Sequence, residues 1–491
     1  MKKYVSDVIT TKHINNWNNG DVILITAPTG RGKSTLILRD LQEIAKLENE
    51  KILLLTNRDL LKNQFKNIIT TTDTIKVINY QLLENIILNQ KEIKELSNYK
   101  YIICDEAHYF FTDSGFNNLT DLSLKWILEQ YDKIRIMMSA TASTITNYIK
   151  QIGIEFKEYK LKHDYSYIDT LYFYEDDQVL KKMLFELPSN EKALYFTLAK
   201  KAYETSQELD NASFLCSKHN KRYSQYVDNE IRKQIVEQDM FSSQILCTTT
   251  TLDNGVNIKD NQVKHIIIDV FDVDTIEQCL GRRRIGQGEK TNVYIKKYSN
   301  QSLSGKRQGL INTMRYANML RNEGIEELIK QYPRKSYGNL IYDVVDNGNV
   351  QKRINEIMYF KCEDTINFCD DLLSSNKKDN YARYIAKRFK YDYKNTFNLD
   401  DMYNCLTLSD KLEKLIGIKL YKQDQLKLID DIDVRVDGKQ QRSISKLNEG
   451  LKMLKLPYLI IKNVDKDRKL LNGEDNPNRD KTYWQVIKSL G

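Results

Sequence analysis

Short all-apolar runs alternate along the first part of the chain with stretches whose apolar residues recur every three or four positions. Val22 to Ile25, Lys51 to Thr56, Ile75 to Ile78, Tyr101 to Cys104 and Ile134 to Met138 read as short buried strands. Leu36 to Leu47, apolar at 37, 38, 41, 44, 45 and 47, has the period of a helix packed on one face. Strands alternating with helices predict a parallel sheet covered by helices over residues 1–165. A polar cluster follows each strand, and ligands bind at the carboxyl ends of strands in open parallel sheets.

The rhythm repeats over residues 166–300, with strands at Ala193–Thr197, Ser213–Cys216, Gln244–Thr248 and Val263–Asp269. The fold class is therefore α/β, with two tandem parallel-sheet domains. Beyond 300 the alternation stops. Ser304–Gln331, Val350–Phe360 and Leu408–Leu415 read as helix and give a mostly helical accessory region over 301–438. Between 380 and 390 aromatic and cationic residues interleave, and a buried aromatic stripe with snorkelling cations is preferred there to a base-stacking surface. Residues 439–491 run as a basic amphipathic helix (Arg442–Leu454), a strand (Tyr458–Lys462), a polar loop and a second strand (Thr482–Ile487). Two readings stay open for them, the end of a winged helix or a small interaction module.

Composition narrows the class. Hydrophobic residues make up 41% and charged residues 29%, as in a soluble globular chain. No apolar run reaches the roughly 18 residues of a membrane span, so no membrane partner is expected. The seven cysteines form no C-x-x-C pair, which points to reduced thiols and a cytoplasmic location. A net charge of +8 permits a polyanionic partner without requiring one.

The chemistry begins at Ala27-Pro28-Thr29-Gly30-Arg31-Gly32-Lys33-Ser34-Thr35, between the first strand and its helix. Strand, glycine-rich turn and helix is the context of a phosphate-binding loop. Gly30 and Gly32 free backbone N–H groups to face phosphate oxygens, Lys33 reaches the β- and γ-phosphates, and Ser34 helps to hold Mg²⁺. Ala27 stands where the pattern usually has its first glycine. Asp105-Glu106-Ala107-His108 follows the fourth strand directly. Asp105 is placed to hold Mg²⁺ and Glu106 to orient or deprotonate a water.

With Ser139-Ala140-Thr141 after the fifth strand, these motifs resemble the first half of a superfamily 2 helicase of the DEAD/DEAH kind. The resemblance implies RecA-like domains, ATP and Mg²⁺ as cofactors, and nucleic acid as partner, with DNA favoured over RNA; protein partners stay unknown. It places Thr56 and Arg58 on the nucleic-acid backbone, with Thr197 and Thr249 in the same role from the second domain. Ser139 and Thr141 then couple hydrolysis to strand movement. Thr249 to Ile258 is similar to the fifth motif, with Asp253 and Gly255 near the nucleotide. Gln278-Cys279-Leu280-Gly281-Arg282-Arg283-Arg284 resembles the sixth. The usual spacing puts its last arginine at 285, which is Ile285 here, so Arg282 with Arg284 is the expected pair. The catalytic set is then Lys33, Asp105, Glu106, His108, Gln278, Arg282 and Arg284, and Thr35 and Thr29 complete the phosphate loop. The family's upstream adenine-reading glutamine is not evident, which leaves Tyr4 or Trp17 to stack on the base. The alternatives are an RNA helicase or remodeller, and a nucleotide-switched binding subunit that does not unwind.

Overall fold

The structure, a computed structural model, describes residues 3–57, 74–89, 93–218, 220–250, 252, 257–333, 337–346, 349–375, 377–436, 438–469 and 475–489. The chain divides into two compact units, one of Met1–Glu175 with Lys181–Thr396, the other of Phe397–Gly491 with Asp176–Leu180.

Two parallel sheets build the first unit. The first holds β1 (Val22–Thr26), β2 (Ile52–Thr56), β3 (Ile75–Asn79), β4 (Tyr101–Cys104), β5 (Ile134–Ser139) and β6 (Lys157–Lys160). Their order is β3-β2-β4-β5-β1-β6, every pair parallel. β1, β2, β4 and β5 are buried along their whole length, because helices cover both faces. That is why they read as unbroken apolar runs. The second sheet carries β7 (Ile168–Tyr174), β8 (Lys192–Phe196), β9 (Ala212–Leu215), β10 (Ile245–Thr248), β11 (Val263–Ile268) and β12 (Thr291–Lys296). These run β7-β12-β11-β8-β10-β9, again parallel. Two tandem parallel-sheet domains are thus present, as the alternation predicts, and they agree with the RecA-like pair that the resemblance implies.

One expectation is corrected. Val350–Phe360 is not a single helix: Asn349–Ile354 is a strand (β14) paired antiparallel with β13 (Ile341–Asp346). Gln351 and Arg353 are exposed while Lys352 and Ile354 turn inward, the two-residue period of a strand. The Asn347-Gly348 dipeptide between the strands is a strong hairpin signal in the sequence. The helix starts only at Glu356, where the Asn355 side chain caps the N–H of Met358 at 3.1 Å.

Four helices matter for the site: α1 (Ser143–Gln151), α2 (Val273–Arg282), α3 (Glu356–Leu373) and α4 (Asn380–Arg388). α3 packs on the first domain, with the Phe360 ring centroid 5.9 Å from Phe111 and 5.0 Å from Tyr148. α4 packs on the second, and its buried Tyr381 donates to the Phe271 carbonyl at 2.8 Å. The aromatic stretch after 380 is therefore a core stripe.

The second unit has its own apolar core. It contains α5 (Leu399–Leu415), α6 (Lys422–Ile432), a short hairpin of β15 (Arg435–Val436) and β16 (Lys439–Gln440), α7 (Ile444–Met453), β17 (Tyr458–Val464) and β18 (Thr482–Lys488). No described helix is long and apolar enough to cross a membrane.

Candidate active site

β1 runs into the glycine-rich loop, and Ala27 N–H donates to the Ser139 carbonyl at 2.9 Å, fixing the loop beside the end of β5. Gly30 and Gly32 have φ of +73° and +84°, a region that strains any side chain. Ala27 is fully buried and not left-handed, so a methyl fits at the place usually held by glycine. The Lys33 side chain is buried; its Nζ donates to the Ala27 carbonyl at 3.2 Å and lies 3.7 Å from Glu106 Oε1. Ser34 and Thr35 are exposed beside the loop, and Thr29 is partly exposed within it.

β4 delivers Asp105 and Glu106. Glu106 is held at φ +51°, a left-handed conformation uncommon for a residue with a side chain and characteristic of functional turns. Burial and the neighbouring Glu106 charge push the Asp105 carboxyl up, while Lys33 works against them. Burial also raises the Glu106 carboxyl, but Lys33 and His108 outweigh it and keep it ionised. Tyr80, buried and stacked on Tyr109 at 4.5 Å, donates to the Asp105 carbonyl at 2.9 Å. It opens the helix after β3 and steadies the turn from behind.

From Glu106 a run of polar contacts crosses to the second domain. His108 Nδ1 lies 3.3 Å from Glu106 Oε2 and 3.1 Å from Ser139 Oγ. Ser139 Oγ accepts from Thr141 N–H at 3.1 Å, and Gln278 Nε2 on α2 donates to Thr141 Oγ1 at 2.9 Å. Residues from three strand ends of one sheet are thus tied to the helix that carries the arginines.

The short arginine spacing has a geometric explanation. α2 ends at Arg282, and the chain leaves it extended, with Arg283 at φ −78°, ψ 115° and bridged to Ile258. The Glu106 charge acts on both Arg282 and Arg284, while Arg283 turns to Glu289. Arg283 is buried and paired with Glu289 at 2.7 Å. Arg284 Nε donates to Asn257 Oδ1 at 2.7 Å, and its Nη1 stands 3.8 Å from where a Cβ on Gly30 would be. Burial lowers both guanidinium pKa values, Arg282 lowers Arg284 further, and the Glu106 carboxylate opposes the shift at each.

The domains meet at Gly281, where an added Cβ would lie 3.2 Å from Thr29 Oγ1. In Gly281→Ala the Thr29 hydroxyl must therefore give by a few tenths of an ångström. We expect kcat/KM for nucleotide turnover to fall by about threefold to tenfold. Steady-state rates check this, and an unchanged value would contradict the close approach.

Other expected residues lie elsewhere. Thr56 is fully buried; Thr197 is buried too and bonds Asp269 at 3.3 Å, so neither hydroxyl is open to a polyanion, whereas Thr249 is partly exposed. Arg58, Asp253 and Gly255 lie outside the described residues, as does the helix expected from Asp59. Trp17 is a core residue, its indole donating to Tyr159 OH at 3.1 Å, and is not available to a base. Tyr4 is 47% exposed, and its ring edge lies 3.8 Å from the Cβ position of Gly32.

Nothing local in the chain points to the contact between α4 and α2. Arg388 grips Glu277 through two bonds of 2.7 and 2.9 Å, and Tyr165 donates to the same carboxylate. The Glu277 side chain is 1% exposed and Arg388 31%. Arg388→Ala leaves a buried carboxylate short of its cation. With the guanidinium partly solvated, the cost is about 2–3 kcal/mol. Denaturant unfolding measures it, and Arg388→Lys, which cannot make the paired bonds, is expected to recover only part.

Residues 8–148 match the family model described as DEAD/DEAH box helicase. No curated protein matches the chain. S. cerevisiae Dbp5 bound to RNA and ADP BeF3 is similar over 56% of this chain and 78% of its own, at 16% identity and a TM-score of 0.40. The DUF1998 helicase MrfA bound to DNA and AMPPNP is similar over 72% of this chain and 56% of its own, also at 16% identity and 0.40. A hypothetical ATP-dependent RNA helicase from Sulfolobus tokodaii is similar over 60% and 96%, at 17% identity and 0.27.

Proposed function

Because residues 8–148 match the DEAD/DEAH box helicase model, we propose that the chain is an ATP-dependent helicase or translocase on nucleic acid. One hydrolytic site is shared by its two parallel-sheet domains. The observation that carries this is the run of contacts from Lys33 through Glu106, His108, Ser139 and Thr141 to Gln278.

Glu106, ionised and held by His108, is the group that takes a proton from the attacking water. Lys33 leaves the Ala27 carbonyl for the β- and γ-phosphates. Gly30 and Gly32 let backbone N–H groups point at the same oxygens. Ser34 and Asp105 are the residues that would hold Mg²⁺. The fit rests on Asp105, a buried acid beside a second acid, whose ionised form calls for a cation. Bound there, the metal neutralises charge on the phosphate oxygens. Arg282 and Arg284 bring positive charge to the γ-phosphate from the other domain. Gln278 sits one helical turn before Arg282, so the γ-phosphate state is sensed together by the Thr141 contact and by the arginines. Loss of that phosphate loosens both at once and lets the domains shift along a strand.

Strand separation tests the proposal. A tailed duplex, in DNA and in RNA versions, should release its strand with ATP and not with a non-hydrolysable analogue. ATP turnover without release on either substrate would instead favour a nucleotide-switched binding subunit.

A further inference from the structure

We propose that the C-terminal unit is a winged-helix module that places α7 in the major groove of duplex DNA. The support lies in element order, packing and charge, and it stands apart from the motor's hydrolysis.

The unit runs helix, short strand, helix, a two-residue-a-side hairpin, helix, strand, loop, strand. The short strand is at Leu420, which exchanges both backbone bonds with Trp484 of β18 at 2.9 Å each. β18 pairs antiparallel with β17 on its other side. The first strand therefore lies beside the last, a three-stranded edge against which the helices pack, as in helix-turn-helix relatives that carry a wing.

α7 is fixed with one face inward. Leu447 and Leu451 are fully buried, and a Cβ on Gly450 would stand 2.2 Å from Val434 Cγ2. The Asn448 side chain bonds both backbone groups of Ile460, at 3.0 and 2.8 Å. The outer face, with Ser445, Lys446, Glu449, Lys452 and Met453, is exposed, and Lys446 pairs with Glu449 at 2.7 Å; Arg442 and Lys455, also exposed, flank the helix at its two ends.

The loop between β17 and β18 is tied at its base. Buried Asp465 accepts from Lys419 at 2.8 Å, Tyr421 at 2.5 Å and Asn476 at 3.1 Å. Beyond that anchor Arg468 and Lys469 are exposed.

Charge is segregated between the two halves. Residues 399–434 hold five Lys/Arg against eight Asp/Glu, a net of −3. Residues 435–489 hold thirteen against seven, a net of +6. The positive half carries the outward helix and the loop, which is the distribution a phosphate backbone selects. B-form DNA has a major groove wide enough for a helix, whereas the A-form groove of duplex RNA is too narrow. The fitting partner is therefore double-stranded DNA.

The test uses the full chain without nucleotide. R442Q/K452Q/K455Q, all at exposed positions, is titrated with a 30-bp DNA duplex, an RNA duplex of equal length and single-stranded DNA at several salt concentrations. A melting curve is recorded beside each titration. The slope of log K against log salt on duplex DNA is expected to become shallower by about 2.7, at about 0.9 per lost contact. The single-strand slope should change less. R468Q/K469Q should give a separate loss of about 1.8 and decides the matter if the first variant melts early. An unchanged duplex-DNA slope in well-folded variants would overturn the proposal and leave this face to a protein partner. An equal loss on duplex RNA would overturn the groove placement. Neither result depends on ATP hydrolysis, so failure here and failure of the motor are distinguishable.

Discussion

Arg282→Ala is expected to lower ATP turnover by about 10³, the low end of what an arginine supplied to a transferring phosphoryl group contributes. Arg284→Ala should do likewise, because the Glu106 charge reaches both guanidinium groups. Arg284 already stands over the phosphate loop near Gly30. Arg283→Ala should behave differently. Its partner Glu289 is on the opposite side, so the loss appears in stability while turnover is largely retained. Measuring kcat for the three variants with nucleic acid saturating separates them. Equal, small effects at 282 and 284 would mean that the two domains do not share one site.

Glu106→Gln should slow turnover by about 10²–10⁴, the usual contribution of a positioned base, with nucleotide binding retained. The amide keeps the shape of the side chain and loses the proton acceptor, while Lys33, Gly30 and Gly32 remain. Lys33→Ala should give the converse pattern, weakened binding of the triphosphate, since the buried ammonium is the loop's own cation. Equilibrium binding of a fluorescent nucleotide, run beside turnover, distinguishes them. Near wild-type hydrolysis in Glu106→Gln would assign the water to another group.

How much was legible in the sequence followed from how local each signal is. β1, β2, β4 and β5 could be read because burial on both faces leaves uninterrupted apolar runs. The loop at 27–35 and the acids at 105 and 106 could be read because each is contiguous and follows a strand directly. The contact of Gln278 with Thr141 could not, since 137 residues separate the partners and only the packing of α2 against the first domain joins them. Arg388 and Glu277 are 111 residues apart and escaped for the same reason. The arginine spacing is one residue short of the family's pattern, and the sequence did not show that the chain is already extended at Arg283. Trp17 and Val350 misled in another way. An aromatic near a nucleotide loop can equally be core, and a short strand, Asn349–Ile354, was absorbed into the helix that follows it. Thr56 and Thr197 occupy strand ends, as the polar clusters predicted, but tertiary cover closes their side chains.

Steady-state ATP turnover of the full chain, measured with no nucleic acid and then with saturating single-stranded DNA, duplex DNA and RNA, tests the central claim most directly. A site shared by two domains and coupled through Gln278 predicts slow turnover of the free protein and a clear rise with at least one nucleic acid. Turnover that is the same with and without every nucleic acid, or absent throughout, would contradict the account.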